Sequence, residues 1–214
     1  MSFSYLLFDL DGTLTDSGPG IMHAAAYALK QFGIEESDPQ CLRRFIGPPL
    51  SDAFPALYGF SYEDTQEAIR QFRLYYRPKG IYENEPYPGI APCLGQLKAW
   101  GKGLAVATSK PQEMAELVLK RFDLWDYFDV VCGASLDESH NRKPGIVSDA
   151  LRRLGVRDRS QALMVGDRAQ DVWGAHENGI ACAGVLWGYG TPAELEDAEY
   201  MVPDCETLLK IAEK

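Results

Sequence analysis

Phe8-Asp9-Leu10-Asp11-Gly12-Thr13-Leu14-Thr15 follows directly on the short apolar run Tyr5-Leu6-Leu7-Phe8. That run has the length and character of a buried strand. Asp9 and Asp11 stand two positions apart, so on extended chain both carboxylates leave the same side. Gly12 and Thr13 then turn the chain and are expected to offer backbone N–H groups to an anion. Two like charges this close repel unless a cation, a proton or a pairing group separates them. A divalent metal is the simplest answer, with one acid as nucleophile and the other as proton carrier. Asp-Gly is also a common turn dipeptide, so the stretch alone leaves a polar loop open and the rest of the chain must decide.

The 214 residues suffice for one large domain, or for a core with a modest insertion. A net charge of -10 argues against a broad nucleic-acid or anionic-membrane surface. An anionic substrate would therefore need a cation to reverse the field locally. Cys41, Cys93, Cys132, Cys182 and Cys205 are dispersed, with no Cys-x-x-Cys pair. Such a set reads as reduced thiols of a cytoplasmic protein, not as a disulfide frame or zinc site. No signal-like segment opens the chain, and no apolar run approaches the roughly 20 residues of a membrane helix.

After Thr15 the pattern changes to helix. Asp16 or Ser17 is placed to cap, Pro19 stands early, and Ile21, Ala24, Ala25, Ala28, Leu29 and Phe32 recur at helical spacing before Gly33. Helices are expected over 39–45, 50–57 and 62–76, broken by Gly47-Pro48-Pro49. Residues 16–85 are thus nearly all helix and end in a Pro/Gly-rich connector. From Ile90 strands alternate with helices: strands near 104–107, 128–132, 162–165, 181–186 and 200–202, helices over 91–100, 111–122, 145–154, 169–178 and 206–213. This alternation implies an α/β fold, a parallel sheet with helices on both faces. Right-handed crossovers then gather the C-terminal ends of the strands at one edge, where open α/β sheets bind ligands.

The unusual polar residues fall after strands: Asp9 and Asp11, Thr108 and Ser109, and Asp167, with Lys143 in the loop His140-Asn141-Arg142-Lys143-Pro144. Acids, hydroxyls and one lysine in a single crevice suit a phosphate monoester. The acids hold a hard cation such as Mg²⁺, hydroxyl and N–H groups hold phosphoryl oxygens, and the lysine keeps the nucleophilic carboxylate ionised. Each piece has a plainer reading: a helix cap for Thr108-Ser109, a solvated loop for Lys143, an N-cap for Asp167 and a surface acid for Asp171. The spacing of four would place Asp167 and Asp171 on adjacent turns of one face. Four matches in this order outweigh the separate alternatives.

On these motifs the chain resembles the haloacid dehalogenase superfamily, in particular its phosphoglycolate phosphatase-like branch. Asp9-Leu10-Asp11-Gly12-Thr13-Leu14 matches the first motif, Thr108 the second, Lys143 with Pro144 the third, and Gly166-Asp167 with Asp171 the fourth. The resemblance implies a Rossmann-like core, residues 1–15 and 86–214, interrupted by an all-helical cap, residues 16–85. It implies that Asp9 attacks phosphorus and that Asp11 protonates the leaving oxygen and later activates water. Asp9, the backbone carbonyl of Asp11 and Asp167 would hold Mg²⁺, supported by Asp171. Thr108 and Lys143 would hold the phosphoryl group, with Ser109 offering its N–H. The implied partner is a small phosphorylated metabolite such as phosphoglycolate, a sugar phosphate or a nucleotide, as for a 5′-nucleotidase. No nucleic-acid polymer or membrane is implied, and the assembly would be a monomer or homodimer.

Within the cap segment Arg43, Arg44, Gly47 to Pro49, Tyr75, Tyr76 and Arg77 are the candidates to read the leaving group. Arg44, beside the Gly-Pro-Pro turn, is preferred because arginine binds anionic groups in fixed geometry. Helical spacing favours Phe72, Tyr75 and Tyr76 as core, and His23 as packed or exposed. A sugar phosphomutase of the same superfamily is the first alternative, although Gly12-Thr13 fits the phosphatases better than the Gly-Val common in those mutases. A non-catalytic binding protein is the second, and the intact acids and Lys143 argue against it. A dehalogenase would need neither Asp11 nor a metal, and no early cap lysine suggests a phosphonatase.

Overall fold

The computed structural model describes residues 3–135 and 142–213. His140 and Asn141 of the lysine loop lie outside them. The chain divides into two compact units, Met1–Thr15 with Pro86–Lys214, and Asp16–Glu85.

In the first unit β1 (Tyr5–Phe8) is followed by the acidic turn and by β2 (Thr15–Asp16), which runs into the second unit. The chain returns through β3 (Glu85–Pro86), which pairs with β2. The first unit then continues with α5 (Ile90–Ala99), β4 (Gly103–Pro111), α6 (Gln112–Arg121), β5 (Val130–Ala134), α7 (Lys143–Arg153), β6 (Ala162–Gly166), α8 (Ala169–His176), β7 (Ala181–Val185), β8 (Tyr200–Val202) and α9 (Cys205–Glu213). Six strands form one sheet in the order β5-β4-β1-β6-β7-β8. Every pairing described within it is parallel. β1 lies between β4 and β6, with Phe8 beside Val106 and Val165. This order sets Thr108 on β4, Asp9 and Asp11 beyond β1, and Asp167 beyond β6, on three adjacent strands.

The register explains the continuous apolar runs. Successive side chains alternate between faces, yet Leu6, Leu7 and Phe8 are all buried, so both faces are covered. Leu7, Ala105, Ala107, Met164 and Cys182 meet Ile146, Val147, Ala150 and Leu151 of α7 and Val172 and Ala175 of α8.

The second unit contains α1 (Gly18–Gln31), α2 (Pro39–Arg43), α3 (Leu50–Tyr58) and α4 (Tyr62–Tyr76). Ile21, Ala24, Ala25, Ala28 and Leu29 form the buried stripe of α1. Ser17 stands at the N-cap of α1 but makes no side-chain capping bond. Asp38 caps α2 by accepting from Gln40 N, and Ser61 caps α4 by accepting from Asp64 N. Phe45, Phe54 and Phe60 pack with centroid separations of 4.9 and 5.7 Å. Phe72 and Tyr76 are buried and stacked, while the half-buried Tyr75 donates from its hydroxyl to Glu83. His23 is exposed and bonds Glu83 through Nδ1. Arg43, Arg44 and Arg77 are exposed.

Three local expectations are corrected. Lys143 opens α7 instead of lying in a loop, because Pro144 sits in the first turn, where its missing N–H costs nothing. β4 runs on to Pro111, and α6 is preceded by Pro111, so neither Thr108 nor Ser109 caps it. α8 stops at His176, two residues early.

Backbone proximity in the second unit allows one sharp test. A Cβ at Gly20 of α1 would lie 1.9 Å from the Gly80 carbonyl oxygen. Gly20→Ala must displace backbone and is expected to destabilise the protein by about 1–3 kcal/mol, read from chemical denaturation. The same change at Gly33, where no atom lies within 4 Å of the added carbon but φ is +74°, should act through backbone strain alone.

Candidate active site

The site is built at the C-terminal end of β1. Asp9 is held in line by its N–H, which donates to Val165 O on the neighbouring strand at 2.9 Å. Asp9 is 4% exposed, and Asp167 and Asp171 are fully buried. Each of these three acids brings one carboxylate oxygen within 4.8 Å of the others.

One cation is driven into this cluster. Lys143 Nζ lies 2.9 Å from Asp9 Oδ1 and 2.8 Å from Asp171 Oδ1, and it donates to Ala107 O at 3.2 Å. The ammonium thus makes two ion pairs and one hydrogen bond. Burial alone would lower the Lys143 pKa, but Asp171 and Asp9 together hold it above its ordinary value. The acids respond in the opposite sense. Burial raises Asp9 to about 6, against the pull of Lys143 and with the push of Asp171. Burial, then Asp171 and Asp9, raise Asp167 to about 7.

Three carboxylates against one ammonium leave two negative charges uncompensated when all are ionised. A divalent cation would cancel that excess, and the all-oxygen donor set is that of a hard ion such as Mg²⁺. The residues present therefore fit the group.

Asp167 and Asp171 do not share a helix face. Asp167 lies in the bend after β6, and Asp171 is at the third position of α8. The correction has a simple cause: α8 begins only at Ala169, so a spacing of four spans the turn instead of one helical repeat. Asp171 Oδ2 accepts from Arg168 N at 3.0 Å, so one carboxylate closes the start of α8 and meets Lys143.

Asp11 has its own partner, Lys110. Nζ of that lysine lies 2.8 and 3.0 Å from the two oxygens of Asp11, in a buried pair. Sequence reasoning passed over Lys110, treating it only as the residue before Pro111. Its signal was its place two positions beyond Thr108, which on extended chain gives both side chains the same side. Thr108 is 1% exposed, and its Oγ1 accepts from Lys110 N at 3.2 Å. Ser109 is half-buried between them.

The turn after Asp11 behaves differently from expectation. Gly12 N donates to Thr15 O at 2.8 Å and Thr13 N to Leu10 O at 3.3 Å. The turn's own geometry thus occupies the two N–H groups expected to meet an anion. Instead Thr13 donates from Oγ1 to Asp167 Oδ1 at 3.1 Å. Gly12, at φ +90°, lets the two segments approach, since a Cβ there would stand 2.3 Å from Asp167 Oδ2.

A second overlooked segment is Trp187-Gly188-Tyr189, just after β7. Tyr189 N donates to Asp167 Oδ2 at 2.8 Å, and Trp187 Nε1 donates to Thr13 O at 3.0 Å. A Cβ on Gly188 would lie 2.4 Å from both Asp167 Cβ and Gly12 O. The segment therefore clasps Asp167 and the acidic turn together. Its sequence signal was a glycine between aromatics after a buried strand, which marks close backbone approach.

Arg43, Arg44, Tyr75, Tyr76 and Arg77 all belong to the second unit, Asp16–Glu85.

Comparison with known proteins is consistent with this geometry. The profile described as haloacid dehalogenase-like hydrolase matches residues 6–185. The chain is 39% identical over 195 residues to a 5′-nucleotidase of Pseudomonas aeruginosa, covering 91% of this chain and 88% of that protein. It is 38% identical over 185 residues to the tyrosine-protein kinase PtkA of Mycobacterium tuberculosis, covering 86% of this chain but 62% of the kinase. The crystal structure of a predicted phosphatase from Clostridium acetobutylicum matches with a TM-score of 0.96 at 40% identity, over 100% of both chains.

Two outcomes follow from the buried charge. Asp9 and Asp167 titrate higher in the folded protein than the 3.8 of an ordinary aspartate. At these two groups the folded state holds more protons than the unfolded, so their contribution to stability falls as pH rises from about 4 through about 7. Without metal, the melting temperature should decline across that window; saturating Mg²⁺ should flatten the decline, and equal slopes with and without the ion would refute the charge argument. Separately, Gly188→Ala should weaken Mg²⁺ binding about tenfold or more by calorimetry, with unchanged far-UV circular dichroism.

Proposed function

The chain belongs to the haloacid dehalogenase-like hydrolase family, and we propose that it is a Mg²⁺-dependent phosphatase of small phosphomonoesters that works through an aspartyl phosphate on Asp9. The observation that carries this reading is the buried Asp9–Lys143–Asp171 arrangement with Asp167 within ligand distance. It is a holder with an excess of negative charge that a divalent cation would balance, built around one candidate nucleophile.

Asp9 attacks phosphorus with one carboxylate oxygen while the bond to the leaving ester oxygen breaks. Asp11, protonated for this step, gives its proton to that oxygen. Water then attacks the aspartyl phosphate, Asp11 takes the proton from it, and the bond from phosphorus to Asp9 breaks to release phosphate. One acid thus works in both directions, as general catalysis over two steps allows. Lys143 and the Thr108 hydroxyl orient and neutralise the phosphoryl oxygens, and Ser109 adds its N–H. Gly12 and Thr13 act by shaping the wall beside Asp167. Asp9, the backbone carbonyl of Asp11 and Asp167 would hold Mg²⁺, with Asp171 behind them; when bound, the ion supplies charge stabilisation for phosphoryl transfer. Lys110 is assigned as the positioning partner of Asp11.

The inserted helical unit is read as the cap that selects the leaving group, with Arg44 as the preferred contact. The substrate class is a small phosphorylated metabolite: phosphoglycolate, a sugar phosphate or a nucleotide, the last in keeping with the relative named 5′-nucleotidase. Transfer to an acceptor other than water is the competing reading, as in a phosphomutase, and the kinase name of one relative favours it. Phosphate release without acceptor separates the two.

Asp9→Asn should reduce phosphate release from an aryl phosphate by on the order of a thousandfold or more while the fold persists. Activity retained in that variant would remove Asp9 as nucleophile. Lys110→Met should lower kcat about 10- to 100-fold and leave KM nearly unchanged in steady-state assays, since its carboxylate partner acts on the leaving group and on water. A rise in KM alone would show that Lys110 binds substrate instead.

A further inference from the structure

Two of the five thiols stand together outside the acidic site. Cys93 lies on the first turns of α5, is 3% exposed, and faces Cys205 of α9. Cys93 Sγ also lies 4.0 Å from the Cys205 carbonyl oxygen. Cys205 is half-buried at the first position of α9, with Sγ 3.9 Å from Pro88 O.

The topology puts this pair at a particular height in the fold. α5 leads into β4 and α9 follows β8. In a parallel sheet the start of each such helix lies at the C-terminal edge of the strands, the edge that carries the acids. The neighbouring residue, Tyr87, donates its N–H to Leu14 O at 3.1 Å, which ties this corner to the end of the acidic turn.

We propose that Cys93 and Cys205 form a redox-modification site, which a hydroperoxide closes to a reversible disulfide. Cys205 is the attacking thiolate and Cys93 the resolving thiol. The Cys205 sulfur attacks one peroxide oxygen, the O–O bond breaks, and the remaining oxygen leaves as an alcohol or water after taking a proton. The Cys205 sulfenic acid is then attacked by Cys93, which loses its proton; the S–S bond forms, the S–O bond breaks, and water departs. Two thiols are oxidised by two electrons and the hydroperoxide is reduced.

The two cysteines are unlike in the way such a pair requires. Hydrogen bonding from Cys93 holds the Cys205 thiol below the ordinary range against its partial burial, and the start of a helix favours a thiolate. The hydrogen bond to Cys205, then burial, raises Cys93. Cys41, Cys132 and Cys182 are all raised, with burial the first cause.

The test uses the full chain, treated with increasing hydrogen peroxide, quenched by alkylation and weighed intact. The expected result is a loss of about 2 Da, a Cys93–Cys205 crosslinked peptide on digestion, and full reversal by dithiothreitol. Cys205→Ser should abolish the crosslink. Cys93→Ser should instead leave a Cys205 sulfenic acid that dimedone traps. Oxidation that falls equally on Cys41, or a Cys205 that passes to sulfinic acid with Cys93 still free, would overturn the proposal.

Discussion

A single ammonium group, Lys143 Nζ, is wedged between Asp9 and Asp171 in a place that water does not reach. Removing one partner from such a buried set leaves an uncompensated charge, at a cost of about 3–5 kcal/mol. The rest of the first unit is consistent with keeping that group in place. β1 delivers Asp9, β4 supplies the Ala107 carbonyl, α7 begins with the lysine, and the first turn of α8 presents Asp171. Four elements from separate parts of the chain are tied at one atom.

Around this point the charges are arranged as a triad and a pair. Lys143 serves Asp9 and Asp171, while Lys110 serves Asp11. The two acids of the opening motif are thus not left to repel each other across a turn: each faces a lysine, Asp11 that of β4 and Asp9 that of α7. Asp167 is managed differently, accepting from neutral donors, the Thr13 hydroxyl and the Tyr189 N–H. Neutral donors offset its burial incompletely, and its carboxyl is pushed up to about 7, against about 6 for Asp9. That unmet demand for positive charge is the physical reason a divalent ion suits the place.

Much of this was legible in one dimension. The alternation of strand and helix from Ile90 onward is periodicity, and periodicity is local. The helical stretch 62–76 agrees with α4 because Ser61 announces its start and the apolar stripe its extent. Asp9 and Asp11, Thr108, Lys143, Asp167 and Asp171 could each be noticed as polar residues next to apolar runs. Their meeting follows from the rule that parallel strands end at one edge, and the structure does bring Asp9, Lys143, Asp167 and Asp171 together. The partners of Lys110 and of the Trp187–Tyr189 clasp were not legible. Spacing gives the side on which Lys110 lies and the glycine marks a close approach, but the partners lie 99, 174 and 22 residues away.

The amino-acid order by itself determined which segments are strands and helices, and which end of the sheet the polar residues must share, since both depend on short-range periodicity and on chain handedness. Only the tertiary structure decided which acid pairs with which lysine, that the turn after Asp11 spends its N–H groups on itself, and that Cys93 meets Cys205. Those outcomes depend on distances set by packing between elements remote in sequence, where a shift of an ångström or two exchanges one partner for another.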